Sequence, residues 1–340
     1  MRGRRSRLAR LTFASALLAV VAVVLPASAS ATRALYASGH PFDTDRFAQF
    51  GGNTLVATFN GCSDSEWSSA LMRTDFDVLI VGENAPGCLG SLSPTTLDSI
   101  RNYVNGGHRY IETGAHNHQD EFLAAVFGFT ITNTQQDSSE TLTGSLQPGA
   151  AGTPFAGGPA ALTPVNQTDL VGSTPGTAIY SGPEGTYVFT VPFGGGVVTY
   201  LAWDLCGTLD SCGTDPAKQD DWYRVLDRAA KVTNGFTIDA TTRNKKKGTA
   251  TITGHDDFPG ELIASGNGVK ASSADGAVIS KSVGAGQQQL LVKAKGKKKR
   301  KLNKKGKVQL SLVISYTAKG GSPQTQSLNV KLKKKLPKKR

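Results

Sequence analysis

Cysteine is scarce in this chain of 340 residues, and Cys62, Cys88, Cys206 and Cys212 never stand at a C-x-x-C spacing. That spacing marks zinc ribbons and dithiol redox sites, so its absence argues against both. No G-x-S-x-G occurs either, which removes the nucleophile elbow of a serine hydrolase. Acidic residues are nearly missing from the last third. Residues 236–340 hold 24 Lys and Arg against 5 Asp and Glu, whereas residues 32–235 hold 9 against 21. Aromatic residues are absent from the basic run Gly296–Lys307, so the stacking platforms of a single-strand binder are not there.

What is present begins with a leader. Five arginines among the first ten residues precede an apolar run, Leu11 to Leu25, that Pro26 ends. As a helix the run spans roughly 22 Å, short of the ~30 Å core of a bilayer. Ala27-Ser28-Ala29 and Ala29-Ser30-Ala31 both fit a signal-peptidase site. Residues 1–31 are therefore expected to be a signal peptide and the product to be secreted and extracellular; an uncleaved anchor is the alternative. Export favours disulfides. Of three pairings, Cys62–Cys88 with Cys206–Cys212 is expected. Cys62 and Cys88 each follow a predicted strand by a few residues, and Cys206 and Cys212 enclose only GTLDS.

The charge division places a boundary near 236–248, giving an acidic body over 32–235 and a basic region over 236–340. In the acidic body, strands at 33–39, 53–59, 77–83 and HRYIETG alternate with helices, the pattern of a parallel sheet with crossovers. SPTTLDSIRNYVNGG carries the strongest helix signals: Ser93 as N-cap, Pro94 at the first position, Leu97, Ile100 and Val104 on one face, and Gly106-Gly107 as the stop. TYVFTV, a hairpin at Gly194-Gly195-Gly196, VVTYLAWDL (197–205) and the helix DDWYRVLDRAAKV follow. The basic region alternates apolar and polar residues over six or seven short segments, which predicts an all-β sandwich.

The order DVLIVGE, SPTTLDSIRNYVNGG, HRYIETGA and GGGVVTYLAWD resembles the class I glutamine amidotransferase-like fold, in its ThuA-like branch. The resemblance implies an α/β, flavodoxin-like parallel sheet. The basic region resembles an Ig-like or fibronectin-type module of secreted bacterial proteins. Catalytic members of the first family carry a cysteine at the elbow after the fourth strand. Here that elbow reads Thr113-Gly114-Ala115-His116-Asn117, and the H-x-E partner is replaced by AWDLCG. The family's catalysis is not carried over.

In an open parallel sheet, ligands bind beyond the carboxyl ends of the strands. His40, Glu83, His116, His118 and Asp204 all end or follow predicted strands, and Trp203 would offer a ring on which a glycan stacks. These six are the candidate rim for a small molecule or glycan. His116, His118 and Asp120 form a candidate zinc site; a structural role as helix cap is the alternative. His108 opens its strand at the opposite end and reads as structural. The run Lys297, Lys298, Lys299, Arg300, Lys301 reads as an inter-strand loop, either solvated with no partner or meeting anionic cell-wall polymers or a membrane surface by charge, with no specific nucleic acid. The function expected from sequence is a non-catalytic binding or cell-envelope protein without cofactor. The alternative is an extracellular metal-dependent hydrolase using the His116/His118 loop.

Overall fold

The computed structural model describes residues 31–82, 84–114, 119–137, 143–165, 168–205, 216–270 and 279–337. Ala31–Arg340 forms one compact unit. Its first part runs β1 (Arg33–Ala37), α1 (Thr44–Gln49), β2 (Thr54–Phe59), α2 (Asp64–Leu71), β3 (Val78–Val81), α3 (Asn84–Gly87), α4 (Pro94–Asn105), β4 (Arg109–Thr113) and α5 (Gln119–Phe127). The chain then lays down β5 (Thr132–Asp137), β6 (Gly144–Leu146), β7 (Ala161–Leu162), β8 (Thr168–Ser173), β9 (Thr177–Gly182), β10 (Gly185–Phe193) and β11 (Gly196–Leu201), followed by α6 (Pro216–Ala229).

These eleven strands make one sheet, in the order β2-β1-β3-β4-β11-β10-β9-β6-β7, with β8 on β10 and β5 on β8. From β2 to β11 all pairs are parallel. Beyond β11 they are antiparallel. The parallel sheet expected from sequence is thus half of a mixed one. Its centre is covered on both faces, which is why β3 and β11 read as unbroken buried runs. The last strand is also shorter than expected: it stops at Leu201, leaving Trp203 and Asp204 beyond its end.

The expected helix at 94–105 forms for the expected reasons. Ser93 accepts from the Thr96 amide, Pro94 sits in the first turn, and Ile100 and Val104 are buried. Asp64 of α2 accepts from the Ser93 amide (2.9 Å) and from Thr96 Oγ1 (2.6 Å), so one carboxylate ties two neighbouring helices together.

The rest of the chain builds two four-stranded antiparallel sheets. One is ordered β12-β13-β17-β15, from β12 (Thr237–Asn244), β13 (Thr249–Asp256), β15 (Val269–Lys270) and β17 (Gly286–Ala294). The other is ordered β16-β14-β18-β19, from β14 (Gly260–Ser265), β16 (Ile279–Val283), β18 (Lys307–Ala318) and β19 (Gln324–Lys333). Alternate residues are buried along β13 and β18, as the period of two requires. The chain is thus an α/β part followed by an all-β part.

The basic run corrects the sequence reading. It is not a loop but α7 (Gly296–Lys305), ended by Gly306 at φ +67°. Lysine and arginine are good helix formers, and Leu302 anchors the helix as its one buried residue. Lys304 and Lys305 in the last turn complement the helix dipole. A run of like charges hides this, because only one residue in ten carries the apolar period.

Cys62 and Cys88 form the expected disulfide, with Cα atoms 5.0 Å apart. It joins the segments that follow β2 and β3, the two strands flanking β1. Cys206 and Cys212 lie outside the described residues. No helix among the described residues is long and apolar enough to cross a membrane. The bridge closes a loop of 26 residues, worth about 3.5 kcal/mol in the chain-entropy treatment. Replacing Cys62 and Cys88 together by serine should lower unfolding free energy by about 3 kcal/mol in denaturant titration. An unchanged midpoint and slope would contradict the assignment.

Candidate functional site

The alternation of β4 decides which side chains meet. Tyr110 and Glu112 share one face; Ile111 and Thr113 take the other. Parallel pairing sets Tyr200 of β11 beside Glu112. Glu112 has no solvent exposure. Tyr110 donates its hydroxyl to Glu112 Oε2 at 2.5 Å, and Glu112 Oε1 has no partner among the described residues. Burial holds the Glu112 carboxyl well above the ordinary carboxylate range against the opposing Tyr110 hydrogen bond, and the Asp120 charge pushes it further up.

Asp120 stands in the first turn of α5, with Oδ1 buried and unpaired among the described residues. Tyr200 donates to the backbone carbonyl of Asp169 at 2.7 Å. Its hydroxyl is pushed up by burial first, then by Asp169, Glu112 and Asp120. Gly114 makes room for this arrangement: a Cβ there would sit 2.2 Å from Tyr200 Oη. Two further polar groups at this edge are buried and unpaired among the described residues, Trp203 Nε1 and the Gln219 side-chain amide. The carboxyl edge of the sheet at β4 and β11 therefore collects a carboxyl group whose pKa burial raises, a second carboxylate and buried polar groups without partners among the described residues. That combination suits proton transfer to a bound molecule.

The residues expected from sequence are only partly brought together here. Glu83, Ala115, His116, His118, Cys206 and Cys212 lie outside the described residues. His40 is exposed, its amide donating to Ser38 Oγ at 3.1 Å. Asp204 is buried beyond β11. Trp203 offers no open ring to a glycan: it is fully buried, stacked on Trp222 at 5.8 Å and met edge-on by Tyr223 at 4.9 Å. His108 stacks on Tyr103 at 4.2 Å. Among the described residues no group of three His, Cys, Asp or Glu could hold a metal ion. Of the basic run, Lys297, Lys299, Arg300 and Lys301 are exposed, and Lys298 reaches back to the Gln309 carbonyl. Glu112, Tyr110, Tyr200 and Gln219 were missed by sequence reasoning. The available signal was a lone carboxylate inside the apolar strand RYIET. A cavity of about 380 Å3 between β2 and α2 lies three strands from β4 and takes no part in the site.

No family model and no curated protein matches the chain. Among solved structures it is similar to a β-galactosidase from Bacillus circulans sp. alkalophilus, with 10% identity and a TM-score of 0.37 over 78% of this chain and 41% of that one. An α-L-fucosidase from Paenibacillus thiaminolyticus shows 14% identity and a TM-score of 0.38, over 78% of this chain and 49% of that one. A cytoplasmic protein from Salmonella typhimurium shows 10% identity and a TM-score of 0.39, over 57% and 97%. The chain spans less than half the length of either glycosidase. At these scores the likeness transfers no activity.

These findings correct two expectations. The amidotransferase-like, ThuA-like assignment does not stand: no family model supports it, and the enzymes matched are glycosidases. It rested on structural glycines and apolar runs, which serve many α/β sheets. The expectation of a non-catalytic binding or cell-envelope protein does not stand either. Those of the matched structures that are named for an activity are hydrolases, and the sequence reading leaves out the buried Glu112.

The raised Glu112 carboxyl has a thermodynamic signature. Below the ordinary carboxylate range both folded and unfolded chains hold the proton. As pH rises through that range the unfolded chain releases it first, so stability falls until the folded-state pKa is reached. Glu112→Gln removes this loss. The stability of the variant relative to the native chain should rise as pH climbs above the ordinary carboxylate range, by at most about 1.4 kcal/mol per pH unit. Parallel stability curves for the two proteins would contradict a neutral Glu112.

Proposed function

We propose that this chain is a hydrolase that cleaves glycosidic bonds by proton transfer from Glu112, and that it works outside the cell. The observation that carries the reading is the state of Glu112: fully buried, raised by burial and by Asp120, and unpaired at Oε1 among the described residues. A carboxyl group whose pKa is raised this way can act as a general acid. Acetal hydrolysis asks for such an acid and a second carboxyl group, and Asp120 is the nearby candidate. Acyl transfer asks instead for a nucleophile and base, and the described cysteines, Cys62 and Cys88, are locked in a disulfide. That disulfide supports the extracellular placement.

In this reading the order β2-β1-β3-β4-β11 is flavodoxin-like, with the substrate beyond the carboxyl ends of the strands. Residues 32–235 form the catalytic domain and 236–340 an all-β sandwich domain. The matched β-galactosidase and α-L-fucosidase guide the choice of substrates to try and carry no weight beyond it.

The purified chain should turn over at least one member of a panel of aryl glycosides. Glu112→Gln should lower kcat by about 10²- to 10⁴-fold with the circular dichroism spectrum unchanged. Failure to cleave any member, or full activity in the Glu112→Gln protein, would contradict the proposal.

A further inference from the structure

The three basic runs of the last hundred residues are separate in sequence and meet in space. The β12–β13 turn carries Lys245–Lys247, α7 carries the second run, and the segment after β19 carries Lys334 and Lys335. That last segment holds the other two. The Lys334 amide donates to the Gly306 carbonyl at the end of α7 (2.7 Å), and the Lys335 amide donates to the Lys245 carbonyl (2.9 Å). Between them lies a groove of about 610 Å3 lined by Lys247, Lys293, Lys295, Lys299 and Lys334, with the buried Leu302 in its wall. Lys245, Lys246, Lys335 and Arg243 line a second basic hollow that adjoins it.

No acidic residue lines either hollow. Lys247, Lys293, Lys299 and Lys334 make no salt bridge among the described residues. Lys334 Nζ donates instead to Asn303 Oδ1 at 2.8 Å. Five ammonium groups around one groove repel one another, since a Debye length of about 8 Å leaves near neighbours unscreened. The backbone bonds that hold them there make this a built feature, in contrast to a run of charge on an open loop. The groove offers lysine alone, which binds phosphate as a point charge, without the arginine fork that grips carboxylate or phosphate bidentately. No aromatic ring lines the groove, so a polymer carrying bases gains nothing from stacking.

We propose that this groove binds a linear polyanion whose repeats carry phosphate and no bases. The site is independent of Glu112. A long-chain inorganic polyphosphate is the probe, titrated against the full chain at several salt concentrations. One variant changes Lys247, Lys293 and Lys299 to glutamine. A second removes the same charge outside the groove, by Lys297→Gln, Arg300→Gln and Lys301→Gln. The groove variant should bind about tenfold or more weakly, with the log–log salt slope reduced by roughly two, about 0.7 for each lost contact. The outer variant should change affinity less than about threefold. Equal losses in the two variants would show charge acting without the groove and would overturn the proposal. So would absent binding by the native chain, or equally tight binding of single-stranded DNA, a carboxylated polysaccharide or anionic lipid vesicles.

Discussion

The crossing of the β10–β11 turn with the end of α4 is the constraint on which the rest depends. Gly194, at φ +54°, has no space for a side chain: a Cβ would lie 1.7 Å from Asn105 Oδ1. At Gly196 it would lie 2.0 Å from the His108 carbonyl oxygen and 2.3 Å from that of Val104. The Gly195 amide donates to the Asn105 carbonyl at 2.9 Å. From the other side, the Gly194 carbonyl accepts from Asn234 Nδ2 (2.8 Å) and from the Ser322 amide (2.7 Å). The turn is thus pinned between the α/β part and the all-β part, and it sets the parallel register of β11 on β4. A slip of one residue would send every side chain of β11 to the opposite face. Tyr200 would then leave Glu112, and the space kept open by Gly114 would have no use.

With that register in place, the two ends of the sheet differ in how completely their polar groups are paired. At the amino end, Arg109 donates to the Asp77 and Ala230 carbonyls and Asp77 accepts from the Arg33 amide, though Tyr103 Oη is buried there without a partner among the described residues. At the carboxyl end, Glu112 Oε1, Asp120 Oδ1, Trp203 Nε1 and the Gln219 amide are buried without partners among the described residues. Each such group costs about 1–3 kcal/mol. Keeping Glu112 protonated is the cheaper form of this arrangement, because an ionised carboxylate in the same place would cost far more.

Much of the architecture was legible because it rests on local chemistry. Ser93, Pro94 and Gly106-Gly107 bound α4 where their capping chemistry requires, and the buried run of β3 announced a sheet covered on both faces. The hairpin glycines and the helix-ending Asn105 were both visible, but nothing local says that they touch. The antiparallel half of the sheet was hidden because β5 to β9 are short, irregular and rich in glycine and threonine. The candidate site was harder still. Following a strand in sequence, Trp203 reads as an exposed ring, whereas Trp222 and Tyr223 of α6 bury it. Glu112 was passed over because a strand pattern tells which face a residue takes, not what covers that face. The groove of the all-β part needed the C-terminal segment to bring its three runs together, a long-range event with no local signal.

The protonation state of Glu112 tests the central claim most directly. Infrared difference spectra between the native chain and Glu112→Gln report it in the folded protein, through the carbonyl stretch of a protonated carboxyl group. The account predicts that this band is present at neutral pH and shifts in deuterated solvent. A difference spectrum at neutral pH showing only the paired stretches of an ionised carboxylate would contradict it.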